Sequence, residues 1–219
     1  APIIGGLAGD ALTTGGNNTA LGYAALSTED TGSRTVAIGW KALVDQNYDG
    51  ETYSVAVGYE AGLGTTTGIK NTLIGGRAGK SLTTGTGNTA LGYLALSAED
   101  TLDGNTSIGY ESLKVQDGGS FNTSIGYQSG VAVTTGDENT FLGAKAGDAV
   151  TTGTNLTIIG YNAAASTIGA ADEITLGDAN VDTLRCATQT ISSLSDERDK
   201  SNIQESTYGL DFIDQLNPV

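Results

Sequence analysis

Asn88-Thr89-Ala90-Leu91-Gly92-Tyr93 returns as Asn105-Thr106-Ser107-Ile108-Gly109-Tyr110, and after the same interval again as Asn122-Thr123-Ser124-Ile125-Gly126-Tyr127. Working outward, the same apolar-then-glycine step stands at Gly5, Gly22, Gly39, Gly58, Gly75, Gly92, Gly109, Gly126, Gly143, Gly160 and Gly177. Nine of the ten intervals are seventeen positions long; the one from Gly39 to Gly58 is longer by two, so two extra residues fall near Tyr48–Tyr53. The residue before each glycine is always Ile, Leu or Val. Asn often stands four before it, as at Asn18, Asn71, Asn88, Asn105, Asn122 and Asn139. A small residue stands three after it (Ala8, Ala25, Ala42, Ala61, Ser112, Ala146), and an aromatic often follows it directly (Tyr23, Trp40, Tyr59, Tyr93, Tyr110, Tyr127, Tyr161). A second motif, Thr-Thr-Gly, closes several units, for example Thr83–Gly85 and Thr151–Gly153.

Internal repetition at a fixed short period is the signature of a stacked architecture. The expected fold is all-β, a repetitive parallel β-solenoid or β-roll with 17-residue coils. Asn-Thr-x-[Ile/Leu/Val]-Gly reads as a short strand that puts the aliphatic inward, once per coil. Gly then permits a corner at positive φ. The small residue lets neighbouring coils approach closely, and Thr-Thr-Gly reads as a second short strand with its turn. Stacking at the β spacing aligns identical side chains into Asn, Thr and Tyr ladders, and eleven coils extend roughly 50 Å.

Composition removes several functions. There is no His, so His-based triads and most zinc sites are excluded. One Cys forms no intrachain disulfide. A net charge of −15 lacks the basic footprint for nucleic acid. No apolar run approaches a membrane span, no leader is visible, and no membrane insertion is expected. The absence of Met, together with the abrupt ends, reads as a piece of a larger polypeptide. No metal or cofactor is expected.

One inward aliphatic is a thin core for a coil of this length. The expectation is that apolar faces are shared between chains in closed cyclic symmetry, as a homotrimeric rod.

The repeat resembles those of phage tail-fibre proteins and, more loosely, is similar to the β-roll heads of trimeric autotransporter adhesins of Gram-negative bacteria. The resemblance covers about residues 1–180, the expected shaft. Residues 181–194 read as an extended neck, rich in β-branched side chains. Residues 195–219 begin with Ser195-Asp196-Glu197-Arg198-Asp199-Lys200-Ser201-Asn202-Ile203. This resembles the opening motif of the endosialidase-type intramolecular chaperone domain, a self-cleaving serine peptidase family, with Ser195, Asp196, Arg198, Lys200, Asn202 and Ile203 matching. Tyr208-Gly-Leu-Asp-Phe-Ile-Asp-Gln-Leu-Asn-Pro-Val219 resembles that family's first helix, a short helical segment stopped by Pro218. Since this stretch is a fraction of such a domain, it reads as a truncated start of it.

The resemblance implies a structural and host-adhesion component of a phage tail fibre, located in the virion, with no enzymatic activity in the shaft. Its partners are other tail or virion proteins and a host-cell receptor such as a polysaccharide. A chaperone at its C-terminus sets the register of three chains and is then released by autoproteolysis in the full-length parent. Ser195 is the implied nucleophile and Lys200, its pKa lowered by burial, the general base. The scissile bond is Leu194–Ser195 or the one after Ser195. The plain reading of Ser-Asp before a helix is an N-cap with a solvated charge run. The alternative assignment for the whole chain is a trimeric adhesin on the bacterial outer surface.

Other residues carry two readings each. The Tyr series is a sugar-stacking surface or a structural ladder. Asp30, Asp49, Asp100, Asp103, Asp137, Glu138 and Asp178 are calcium ligands or solubilising loop residues. Cys186 is a lone thiol, read as a small apolar residue. The lengthened coil, with Tyr48, Asp49 and Tyr53, is a receptor contact or a neutral extension.

Overall fold

The computed structural model of the chain describes residues 2–98, 101–183 and 185. The chain divides into two units, Ala1–Asp182 and Thr183–Val219. Of the second unit only Thr183 and Arg185 are described. The expected C-terminal helix and the chaperone motif lie outside the described residues, as does nearly all of the neck beyond Thr183.

The first unit is all-β, with no helix among the described residues. Eleven strands form one parallel sheet whose spatial order is the chain order. They are β1 (Ile3–Ile4), β2 (Thr19–Leu21), β3 (Val36–Ile38), β4 (Val55–Val57), β5 (Thr72–Ile74), β6 (Thr89–Leu91), β7 (Thr106–Ile108), β8 (Thr123–Ile125), β9 (Thr140–Leu142), β10 (Thr157–Ile159) and β11 (Ile174–Leu176). Thr106 pairs with Thr123 and Ile108 with Ile125, one regular repeat apart; Val36 pairs with Val55, a step lengthened by the two inserted residues. Each strand thus opens one coil of a β-solenoid, and a coil takes the number of its strand below.

The direction of the strand side chains differs from the sequence expectation. In β2 to β10 the middle residue is buried, while the aliphatic before the glycine faces outward and is half-buried or exposed. The physical reason is parity. The residue four before the step glycine points inward and is buried, a hydrogen-bonded Asn in six of these coils and Thr35, Ser54 or Leu156 in the other three, and side chains alternate with period two. Two residues on, the middle position must also point inward, and the aliphatic after it outward. The Thr-Thr-Gly segments are not strands either. Each gives coil-to-coil bonds without a ladder, such as Thr134 N–H to Thr151 C=O at 2.8 Å.

The buried Asn residues form a ladder through the stack. The Asn122 amide donates to the Gly136 carbonyl at 2.8 Å and its Oδ1 accepts from Asn139 N–H at 2.9 Å. Asn71, Asn88, Asn105 and Asn139 repeat both bonds. The step glycines pack backbone on backbone: Gly109 has φ +137°, and a Cβ there would lie 2.2 Å from the Gly126 oxygen. No L side chain fits that contact.

The interior is filled by exchanging volume between two positions. One is the middle strand residue; the other lies four after the step glycine and holds left-handed backbone. Leu26, Leu43, Leu96 and Leu113 fill the second position, with φ between +47° and +53°, where the strand carries Ala20, Ala37, Ala90 or Ser107. Where Leu73 or Phe141 fills the strand position, Gly79 and Gly147 stand at the other. Coils 4 and 8 are hollow at both, with Ala56 and Gly62, then Ser124 and Gly130. Their neighbours fill the gap: a Cβ on Gly62 would lie 2.7 Å from both Leu43 Cδ2 and Leu73 Cδ1. On Gly130 it would lie 2.9 Å from both Leu113 Cδ2 and Phe141 Cδ2.

Over coils 1 to 9 this interleaving has a period of four coils, which coil 10 leaves by carrying Ile158 and Ala164 at the two positions. Coils 1, 5 and 9 match one another, as do coils 2 and 6, 3 and 7, and 4 and 8. Gly5, Gly75 and Gly143 hold equivalent places in the first set, and only the insertion makes the interval from Gly5 to Gly75 the longer one. The structural unit is one coil, but the packing unit is four.

Inside coil 2, Glu29 is fully buried. Its carboxylate accepts Gly32 N–H at 2.7 Å and Tyr48 N–H at 3.2 Å. Burial, the larger influence, raises its pKa above the ordinary carboxyl range against the lowering effect of these bonds. A carboxyl whose pKa is raised by folding gives stability that is complete below the unfolded pKa and lost as pH rises through the folded one. Thermal unfolding is therefore expected to lose a Glu29-dependent increment from about pH 4.5 upward. Glu29→Gln should lose that slope. Parallel Tm-versus-pH curves for the two proteins would rule this out.

Candidate interaction faces

Three surfaces of the first unit are built by the repeat or by its one irregularity. The first is the outer face of the sheet. Each strand turns two side chains outward there: a Thr, Val or Ile at its start and the aliphatic at its end. Leu21, Leu91, Ile125, Leu142, Ile159 and Leu176 are 36–51% exposed, while Ile38, Val57, Ile74 and Ile108 are half-buried. No charged residue stands at either outward position from β2 to β11.

The second surface is the aromatic row that follows the step glycines. Tyr23, Trp40 and Tyr59 stack with ring centroids 6.4 and 5.0 Å apart. Tyr93, Tyr110 and Tyr127 stack at 5.7 and 5.3 Å. Between the triplets coil 5 has Gly76 in place of a ring, and the Arg77 guanidinium lies over the Tyr59 face at 5.7 Å. Arg77 also pairs with Glu60 at 2.8 Å, and Lys80 reaches the same carboxylate at 3.5 Å. The ring faces inside each triplet are consumed by one another, and Tyr161, 69% exposed, stands outside both triplets. This geometry favours the structural ladder over a sugar-stacking surface.

The third surface is the lengthened corner of coil 3. Tyr48 and Asp49 line an open recess of about 500 Å³ together with Asp30, Asn47 and Thr67. The Thr31 hydroxyl donates to Asp49 Oδ1. Tyr53 is not in this recess. Its hydroxyl donates to Glu51, and the Arg34 guanidinium lies over its ring at 5.5 Å while bonding Glu51 at 2.7 Å. The Tyr53 hydroxyl bond, followed by that from Arg34, holds the Glu51 carboxyl below its ordinary range. The same bond raises the Tyr53 phenol. The corner thus holds two separate polar arrangements, and Asp30 Oδ1 and Gln46 Oε1 are buried there without a partner.

Among the described residues no group of three or more His, Cys, Asp or Glu side chains is placed to hold a metal ion. Asp100 and Cys186 lie outside the described residues. So do Ser195, Lys200, Asp196, Arg198, Asn202 and Ile203, and the proposed serine–lysine chemistry has no geometry here. No helix among the described residues is long and apolar enough to cross a membrane. The sequence reading missed the outward aliphatic row. The signal that would have found it is the fixed two-residue offset between Asn and the middle strand residue. Compared with family models, curated proteins and solved structures, the chain finds no match in any of the three.

Proposed function

We propose that this chain is the shaft of a phage tail fibre, a structural and adhesive rod of three parallel copies that carries host-receptor contacts. The observation behind this reading is the unbroken parallel stack. Eleven strands share one sheet in chain order, and each coil hydrogen-bonds the next through its backbone, with Asn bonds added in most coils. Such a stack is stiff along its axis, because bending it breaks ladder bonds in every coil at once. An adhesive mechanical role fits that architecture better than turnover.

The same reading gives the C-terminal segment its task. Rows of near-identical coils tolerate slipped alignments, since a slip preserves most contact types. A non-repeating element at one end removes the ambiguity, and its release by Ser195 and Lys200 leaves the assembled rod kinetically trapped. The fibre's partners are then other virion proteins and a surface receptor of the host.

Electron micrographs of the assembled full-length parent test the reading. A straight three-fold rod joined to a virion supports it. A rod joined to an outer-membrane anchor replaces it with the bacterial surface adhesin, and a globular particle ends both. For the release step, the full-length parent is expected to yield a C-terminal fragment that disappears in Ser195→Ala and in Lys200→Ala. An unchanged band pattern removes the peptidase role and leaves the rod reading intact.

A further inference from the structure

We propose that the outer face of the sheet is the seam between copies of this chain. Two further copies lie parallel to the first in the same register, and the three aliphatic rows converge on a common three-fold axis. This rests on the fibre reading above and deepens it by naming the surface that assembles.

The first argument is the composition of the face. Parity forces an Ile, Leu or Val outward in every coil, although the sequence offers Thr, Asn and Asp freely elsewhere. The chain carries 10 Lys+Arg and 25 Asp+Glu. None of these stands at the outward positions of β2 to β11. The neighbouring row, two residues after the step glycine, carries a charge in five coils, at Lys41, Glu60, Arg77, Glu111 and Lys145. A face that is apolar in every coil, beside one that is charged in about half of them, is a contact surface.

The second argument is area. Seven of the eleven rungs are exposed by 36–65% and the other four are half-buried. At roughly 80 Å² each the seven leave on the order of 500–600 Å² per chain, and with the half-buried rungs and the Thr and Val row added the face approaches the roughly 800 Å² of one side of a standard stable interface. The third is geometry. The row is one side chain wide, flanked by the Thr row on one side and the glycine corner on the other. Pairing two chains covers one flank of each row. Three chains around an axis cover both, and each aliphatic meets two equivalents of itself. Equal coil rise in every copy matches the rows rung for rung, and only the unslipped register buries all of them.

The test is disulfide trapping in the 219-residue chain with Cys186→Ser to remove the native thiol. Ile108→Cys places a thiol on the seam; Asp117→Cys, on an exposed turn of the same coil, is the control. Under mild oxidation Ile108→Cys is expected to give interchain bridges, because the converging rungs bring equivalent residues within bridging distance. Three thiols at one axis form one bridge and leave one chain free, so cross-linking should stop at about two thirds of the chains. Asp117→Cys should stay unbridged. If Ile108→Cys does not fold, Ile74→Cys carries the same test on another rung.

Bridging that runs to completion overturns the three-fold arrangement in favour of a pair. Bridges that form only when Ile108→Cys is mixed with Ile125→Cys overturn the common register. A multimer by native mass spectrometry whose seam thiols never bridge places the interface elsewhere and leaves the fibre reading standing. A stable folded monomer removes both.

Discussion

Deleting one coil, Val55–Asn71, is expected to damage the stack at its junction more than deleting four, Val55–Asn122. Both deletions join Ser54 to a Thr that opens a strand, Thr72 in one case and Thr123 in the other. They differ in what coil 3 then meets. In the native stack Leu43 shares the space above Gly62 with Leu73, and Leu73 also presses into the space at Gly79, 2.6 Å from where its Cβ would be. The short deletion removes Gly62, so Leu43 and Leu73 must share the one remaining gap. Overpacking of this kind costs about 1–3 kcal/mol and displaces backbone. The long deletion places Leu43 before Ser124 and Gly130 with Phe141 beyond, which is the native environment of Leu113. Length alone predicts the opposite order, because stacked repeats gain stability with each added neighbour. The measurement is amide exchange at β3. Its protection should stay near the parent's level in the long deletion and fall about tenfold or more in the short one. Equal protection would mean that the four-coil packing period carries no energy.

Asn122→Ala is expected to be a strongly destabilising truncation. The side chain is fully buried and serves two backbone groups of the following coil, the Gly136 carbonyl and the Asn139 N–H. Truncation leaves both groups buried without partners. Each carries a penalty of about 1–3 kcal/mol, so the loss should be about 2–6 kcal/mol. Water does not relieve it, because the ladder lies inside the coil. The denaturant midpoint should fall while the slope of the transition stays constant. A loss below about 1 kcal/mol would show that the coils are held by backbone pairing and apolar packing without help from the Asn ladder.

These two expectations trace what was and was not legible in the residues. The coil period stood in the spacing of the step glycines, and the parallel strand order followed from it. The small residues after the glycines were read correctly as sites of close approach: Ala25, Ala42, Ala61, Ser112 and Ala146 are fully buried. Side-chain direction differs from the expectation because the residue four before the step glycine, a hydrogen-bonded Asn in most coils, takes the inside first. A polar group with two backbone partners outranks an aliphatic whose exposure another surface can relieve. The four-coil period was present in the alternation of Leu and Gly after the step, but its meaning needs neighbouring coils in contact, which a single-coil reading does not supply. At the lengthened corner Tyr48 and Asp49 line one recess, while Tyr53 belongs with Arg34 and Glu51. That separation depends on how two inserted residues are absorbed, which spacing does not encode. For Ser195 and Lys200 the motif remains the whole basis.

The aromatic row has an optical consequence. The chain has a single tryptophan, Trp40, held between Tyr23 and Tyr59 at 6.4 and 5.0 Å. At such separations an excited phenol hands its energy to the indole before it can emit. Light absorbed by those two tyrosines therefore leaves as indole fluorescence. Pulling coils 2, 3 and 4 apart would return that emission to the phenols, so the protein carries its own gauge of whether its upper turns are closed.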